Sequence, residues 1–293
     1  MVIDITRSEA AMSLQFDFFQ VDPKPIPSQI PGFEEAHGSA TWPPSTSTYI
    51  WDDRGGLLVD TLITLPEAGR LASWVKGHSG PLTNVYITHP HGDHLLGLPA
   101  ILDAYPDARA VALADSIEDM RGQTDPAFLE VWGSFFPGQL TDRPVIPDPL
   151  VGTEIGIGDA SAQLVPVGGS DTVHSSVVFV PELGLAVPGD VVYNRVHMWM
   201  FQSTPESRAE WLRALDAVQT IGATTLIAGH RHPQAPDDDA NRQIDESRQY
   251  ILDFEAALAA STTPPELVAR MEAAYPEFGN PYTVWLAAYT LMS

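Results

Sequence analysis

The 293-residue chain contains no cysteine, so disulfides and thiolate ligands are both excluded. Any metal must then be held by nitrogen and oxygen. Positive charge is scarce as well: Lys24 and Lys76 are the only lysines, and 15 basic residues face 38 acidic ones, a net charge of −23. A field of that sign repels phosphate backbones and anionic lipid surfaces, so neither nucleic acid nor membrane is an expected partner. No apolar run approaches bilayer-spanning length. The opening residues lack a basic stretch followed by an apolar one, so no secretory signal is expected, a cytoplasmic location is the default, and Met12 is an alternative start.

Apolar residues are plentiful, at 44% of the chain, enough for the core of a large α/β domain with an appendage. Short β-type runs occur at 56–63, 84–89, 108–114, 162–167, 175–180, 184–190 and 224–230. Helical spacing appears at 68–75. A second helix follows Thr204 and Pro205, with Trp211, Leu212, Leu215 and Val218 on one face and Gly222 as its stop. Strands alternating with helices indicate an α/β fold. Past the acidic run 236–239 the pattern turns wholly helical, with Ile244, Ile251, Phe254 and Leu258 on one face and two shorter helices near 266–275 and 282–291. The chain therefore divides into a lead-in (1–44), an α/β domain (45–235) and a helical extension (236–293). That extension carries too many apolar residues for a solvated arm, so it packs on something: the outer face of the domain, the edge near His230, where it would close a pocket, or the tail of a second copy in a homodimer.

Chemistry concentrates in THPHGDHLLG (88–97), where three of the nine histidines and an aspartate fall within six residues. His89 and His91 leave a strand on the same side, Gly92 permits a turn, and Asp93 and His94 open the next helix facing the same space. Four ligand-type side chains exceed the three that a catalytic zinc commonly takes from protein, which suggests two ions. His174, Asp190 and His230 stand at the ends of later strands, where α/β folds place their chemistry.

This series resembles the metallo-β-lactamase superfamily. Its H-x-H-x-D-H motif corresponds to His89, His91, Asp93 and His94, its later single ligands to His174, Asp190 and His230, and its earlier buried aspartate to Asp60. The likeness spans roughly residues 45–232. It implies a four-layer αββα sandwich with a dinuclear site, usually two zinc ions, with manganese or iron as alternatives. By that analogy His89, His91 and His174 hold the first ion and Asp93, His94 and His230 the second. Asp190 and a hydroxide bridge the two ions, and Asp60 orients a ligand from behind. The chain departs from the common pattern in two places: Ser170, followed by Asp171, stands where many members carry another histidine, and Leu96 precedes Gly97 where many have two glycines.

The resemblance also implies a branch: Asp190 and the lack of cysteine weigh against the antibiotic-hydrolysing members, and His91 fits the hydrolases better than the iron-dependent redox relatives. Scarce lysine weighs against an anionic glutathione thioester. Tyr193 has the offset from Asp190 at which N-acyl homoserine lactonases carry a substrate-facing tyrosine, and its phenol is suited to stabilising an oxyanion. Two aromatic clusters in expected loops, Trp132, Phe135 and Phe136, and then Met198, Trp199 and Phe201, are candidates for a pocket wall. His197 and His232 read as hydrogen-bonded loop residues, and His37 and His78 as surface residues. The expected protein is a dinuclear metal hydrolase cleaving an ester or lactone of a partly apolar small molecule, with amide, β-lactam or thioester cleavage, or iron redox chemistry, as alternatives.

Overall fold

The computed structural model describes residues 13–28 and 30–292; the alternative start at Met12 and the reading of the extreme N-terminus lie outside them. Six strands, Gln15–Val21, Ser45–Trp51, Gly56–Val59, Leu82–Tyr86, Arg109–Leu113 and Asp148–Leu150, pair in that order as one sheet. Five more form a second sheet, in the order Thr225–Leu226, Leu185–Val187, Ser175–Val180, Ala160–Gly168, Glu154–Ile157.

Strand alternation sorts their side chains into three cores. Ile50, Leu57, Val59, Tyr86, Val178, Val180, Leu185 and Val187 fill the space between the sheets. Their sequence neighbours Tyr49, Trp51, Leu58 and Val85 point the other way, under the helices Leu65–Val75 and Leu98–Ala104. On the far side Val177, Ala186 and Leu226 meet Trp211, Leu215 and Val218 of helix Pro205–Ile221. Period-two strands with both faces covered thus give four layers, helix, sheet, sheet, helix, the αββα sandwich.

Helix ends follow local chemistry. Thr64 caps Leu65–Val75 in a reciprocal box with Glu67, and Thr204 does the same for Pro205–Ile221 with Ser207. Gly222, at φ 74°, closes the latter helix in the left-handed conformation. The stretch around Trp132, expected as a loop, is instead the helix Pro126–Phe135, with proline at its first turn. Two strands absent from the sequence reading, Gln15–Val21 and Ser45–Trp51, pair along seven residues each, so part of the lead-in is an edge of the first sheet. Ser45–Trp51 is buried throughout. Its serines and threonines conceal it from a search for apolar runs.

The extension forms helices Ala240–Ala260, Pro264–Ala274 and Tyr282–Leu291. Ile244, Tyr250, Phe254, Leu267, Met271 and Trp285 share one core with Val196, Met198 and Met200 of the loop after Asp190. Among the described residues no helix is long and apolar enough to cross a membrane.

Candidate metal centre

Strand Leu82–Tyr86 and the four-residue helix Gly92–Leu95 enclose the turn that carries His89 and His91. Both rings face the same hollow, with their centroids 5.3 Å apart. Asp93 and His94, in the first turn of the short helix, face it too. Strand ends of the second sheet bring Asp190 and His230. The ligand-type atoms fall into two adjoining groups, His89, His91, Asp171 and Asp190, and Asp93, His94 and His230, with all the atoms of a group within 4.8 Å of one another.

Three of the four imidazoles are oriented from behind. His94 Nδ1 lies 2.8 Å from Asp60 Oδ2, and His230 Nδ1 lies 2.9 Å from the carbonyl oxygen of Pro44. Neither oxygen can donate, so both Nδ1 atoms carry the proton. Thr88 Oγ1 donates to Asp60 Oδ2 at 2.8 Å and therefore accepts from His89 Nδ1 at 2.9 Å. All three Nε2 lone pairs consequently point inward. His94 Nε2 meets Asp190 Oδ1 at 3.2 Å, and His230 Nε2 meets Asp93 Oδ2 at 3.1 Å and Asp190 Oδ2 at 3.2 Å.

Lone pairs facing carboxylate oxygens at these distances repel unless a cation lies between them. His89 Nε2, His94 Nε2, Asp171 Oδ2 and Asp190 Oδ1 are buried and make no hydrogen bond, which costs free energy unless something positive satisfies them. Proton affinities show the same demand. Burial opposes a charge on His230, yet Asp190 and Asp93 raise its pKa to about 10, and Asp190 and Asp60 likewise overcome burial at His94. Burial opposes ionisation of Asp190, but His230 and His94 hold its pKa well below the usual carboxylate range. At His89 burial, with His94 and His91 adding to it, outweighs Asp171 and Asp190 and takes the pKa down to about 3. The donor set, four imidazoles and three carboxylates, fits divalent metal ions.

His174, expected in this set, is elsewhere. Its side chain is 42% exposed, and Nδ1 pairs with Asp119 Oδ2 at 2.6 Å on helix Ile117–Gln123. Asp171 stands in its place, its side chain fully buried and Oδ2 3.0 Å from His91 Nδ1. The strand Ala160–Gly168 shifts register at Pro166/Gly168, and the irregular turn that follows presents the aspartate instead of the histidine. Trp42 is a second residue missed by the sequence reading. Its indole N–H donates to Asp93 Oδ2 at 3.2 Å. It comes from the lead-in, far from any motif.

Tyr193 does reach the centre: its hydroxyl donates to Asp190 Oδ2 at 2.9 Å. Burial and then Asp190 push its pKa well above that of a free phenol, so it stays a donor. His197 is buried and bonded to the Tyr250 hydroxyl at 3.0 Å. His232 accepts from Gln234 N at 3.2 Å, His37 pairs with Glu272, and His78 packs edge-on against Trp51 and Trp74.

A cavity of about 420 Å³ adjoins the cluster at His91 and Asp171, walled by Trp42, Trp132, Phe135, Trp199, Phe201 and Leu286. A narrow space with Asp93, Asp190, Tyr193 and His230 on its walls shares Trp42, His91, Trp132 and Trp199 with it. Phe136 and Met198, expected as pocket wall, are instead fully buried in the core behind it. Leu286 on the larger cavity and Thr283 on the narrower space come from the last helix, so the extension contributes directly to both.

The chain is similar to hydroxyacylglutathione hydrolase of Cereibacter sphaeroides, 28% identical over 175 residues that cover 59% of this chain and 58% of that protein. It is also similar to atrochrysone carboxyl ACP thioesterase of Aspergillus fumigatus, 45% identical over 74 residues, 25% of this chain and 16% of the relative. The chain thus spans less than two thirds of either relative. Among solved structures, a metallo-beta-lactamase family protein from Thermus thermophilus superposes with TM-score 0.62 at 19% identity, covering 93% of this chain and 91% of that one. A metallo-beta-lactamase from Pontibacter korlensis gives 0.57 at 16% identity, covering 82% and 100%. At such identities the likeness is one of fold. The family model of the metallo-beta-lactamase superfamily matches residues 40–230, a segment that includes every strand carrying the cluster. With its four layers and its histidine–aspartate cluster at the sheet edge, the chain belongs to the metallo-beta-lactamase superfamily.

Proposed function

We propose that the protein is a metal-dependent hydrolase, with two zinc ions or similar divalent ions, that cleaves the acyl bond of an uncharged, largely apolar ester, lactone or thioester. The observation that carries this reading is the continuity of an aromatic-walled cavity with the buried histidine–aspartate cluster. Divalent ions bound there would supply Lewis acidity toward a carbonyl and lower the pKa of water.

The chain's own residues supply the rest. Asp60, Thr88 and the Pro44 carbonyl fix three imidazole orientations. Trp42 and Tyr193 each give a hydrogen bond to a carboxylate of the cluster, and Tyr193, on the wall of the narrow space, can turn its single O–H from Asp190 to a carbonyl oxygen as that oxygen gains charge. Trp132, Phe135 and Trp199 exclude water and bury an apolar acyl group.

The bond follows from two considerations. The names of the relatives bring in thioesters, since one is a thioesterase and the other acts on a hydroxyacylglutathione. The titratable residues on the cavity wall argue against an anionic leaving group: among the described residues they are His91, Asp171 and Glu210, with no lysine or arginine. A screen of the metal-loaded protein on aryl and alkyl esters, lactones, uncharged thioesters, a glutathione thioester and β-lactams tests the proposal. Turnover of the uncharged apolar substrates is expected, with a kcat/KM that falls on Trp199→Ala. Turnover confined to the glutathione thioester, or none at all, overturns the reading.

A further inference from the structure

The carboxylate of Asp171 is too well positioned to be a bystander. It lies in a tight turn closed by the Ser170 N–H to Thr172 carbonyl bond of 2.8 Å. Ser170 Oγ donates to its Oδ1 at 2.8 Å and lies 2.7 Å from Ser175 Oγ, so a short chain of hydroxyls holds one oxygen. The other, Oδ2, is aimed into the cluster, 3.0 Å from His91 Nδ1 and 4.0 Å from His89 Nε2, buried and without a hydrogen bond.

We infer that Asp171 is a metal ligand that makes the two halves of the centre alike, and that this tunes the protein toward harder divalent ions such as manganese. The inference rests on the metal-site reading above. His89, His91 and Asp171 form one half, His94, His230 and Asp93 the other, each with two imidazoles and one carboxylate, and Asp190 lies within reach of both. Had His174 filled the place, the first half would offer three imidazoles and favour zinc over manganese more strongly, because imidazole suits zinc and carboxylate suits manganese. Charge follows the same line. Three carboxylates leave two divalent ions one unit of positive charge, where a histidine at position 171 would leave two. Equal donor sets predict similar affinities, so the two ions load together.

The test is calorimetric titration of the chelator-stripped protein with zinc and separately with manganese, counting bound ions by elemental analysis and checking folding by circular dichroism. The wild-type chain should bind two ions with dissociation constants within about tenfold of one another. Asp171→Asn, which keeps the bond from Ser170, should weaken one ion by about 100-fold and leave the second unchanged. Asp171→His should keep two zinc ions while lowering the manganese-to-zinc affinity ratio at one site by about tenfold. Two ions held by Asp171→Asn as tightly as by wild type would show that Asp171 is only a partner for His91 and overturn the inference, as would an unchanged ratio in Asp171→His. A wild-type chain that binds no ion overturns both this inference and the hydrolase proposal. One that binds two ions in this pattern but cleaves no acyl substrate overturns the hydrolase proposal alone.

Discussion

Asp60 accepts the Nδ1–H of His94 at 2.8 Å while taking the backbone N–H of Thr88 at 2.9 Å, so one carboxylate ties together the turn and the ring that the turn must face. It does so from the left-handed region, at φ 63°, where aspartate and asparagine are tolerated better than most residues. Asp60→Asn therefore tests the carboxylate without straining the backbone. It should lower metal affinity by about 10- to 100-fold, read by competition with a chelator, and leave the circular dichroism spectrum unchanged. Unaltered affinity would mean that His94 is held by its packing alone.

Gly229 is needed for close approach. A Cβ there would lie 2.3 Å from Asp190 Oδ1 and 2.8 Å from His94 Cε1. Gly229→Ala should lose most metal binding and activity while remaining folded. Gly69→Ala is the contrast, at an exposed helix position where a Cβ meets nothing within 4 Å. That change should raise stability by about 0.5–1 kcal/mol in chemical denaturation, with activity intact.

Tyr193 is held by the extension. Ser247 Oγ accepts from its N–H and donates to its carbonyl, each at 3.1 Å. Tyr193→Phe should cut kcat by about tenfold to a hundredfold with metal binding unchanged, if the phenol acts on the substrate's oxygen. Ser247→Ala leaves a buried N–H unpaired, at a cost of about 1–3 kcal/mol, and should lower both stability and kcat. Equal kcat in wild type and Tyr193→Phe would confine the tyrosine to a packing role.

His197 makes stability depend on pH. Burial lowers its folded-state pKa from 6.5 to about 3, with His37 adding to the effect, so between those values the unfolded chain takes up a proton that the folded one refuses. Stability from this group is therefore fully present above pH 6.5 and declines as pH falls toward 3, by about 5 kcal/mol at most. Asn at position 197 does not titrate. In urea melts between pH 7 and 4, His197→Asn should show a shallower loss of stability than wild type, and parallel curves would refute the assignment.

The helices of the extension, the strand Ser175–Val180 and the helix from Pro205 could be read from sequence because period and caps are local properties. So could the convergence of His89, His91, Asp93 and His94, which a strand, a glycine turn and one helical turn enforce within six residues. The order of Asp190 and His230 along the chain, at strand ends, placed them as well. Tertiary structure alone decided the rest. Asp171 and His174 are three residues apart in an irregular turn, and neither has a period to say which points inward. A hydroxyl from Ser170 holds one inside, and Asp119, from a helix more than fifty residues earlier, holds the other outside. Trp42 reaches Asp93 only because the lead-in is folded against the domain. Phe136 and Trp132 belong to one aromatic cluster, yet one fills the core and the other lines the cavity, because the helix ending at Phe135 sets their directions. Local sequence determines what each short segment can be, while a ligand set gathered from four segments depends on how the layers stack.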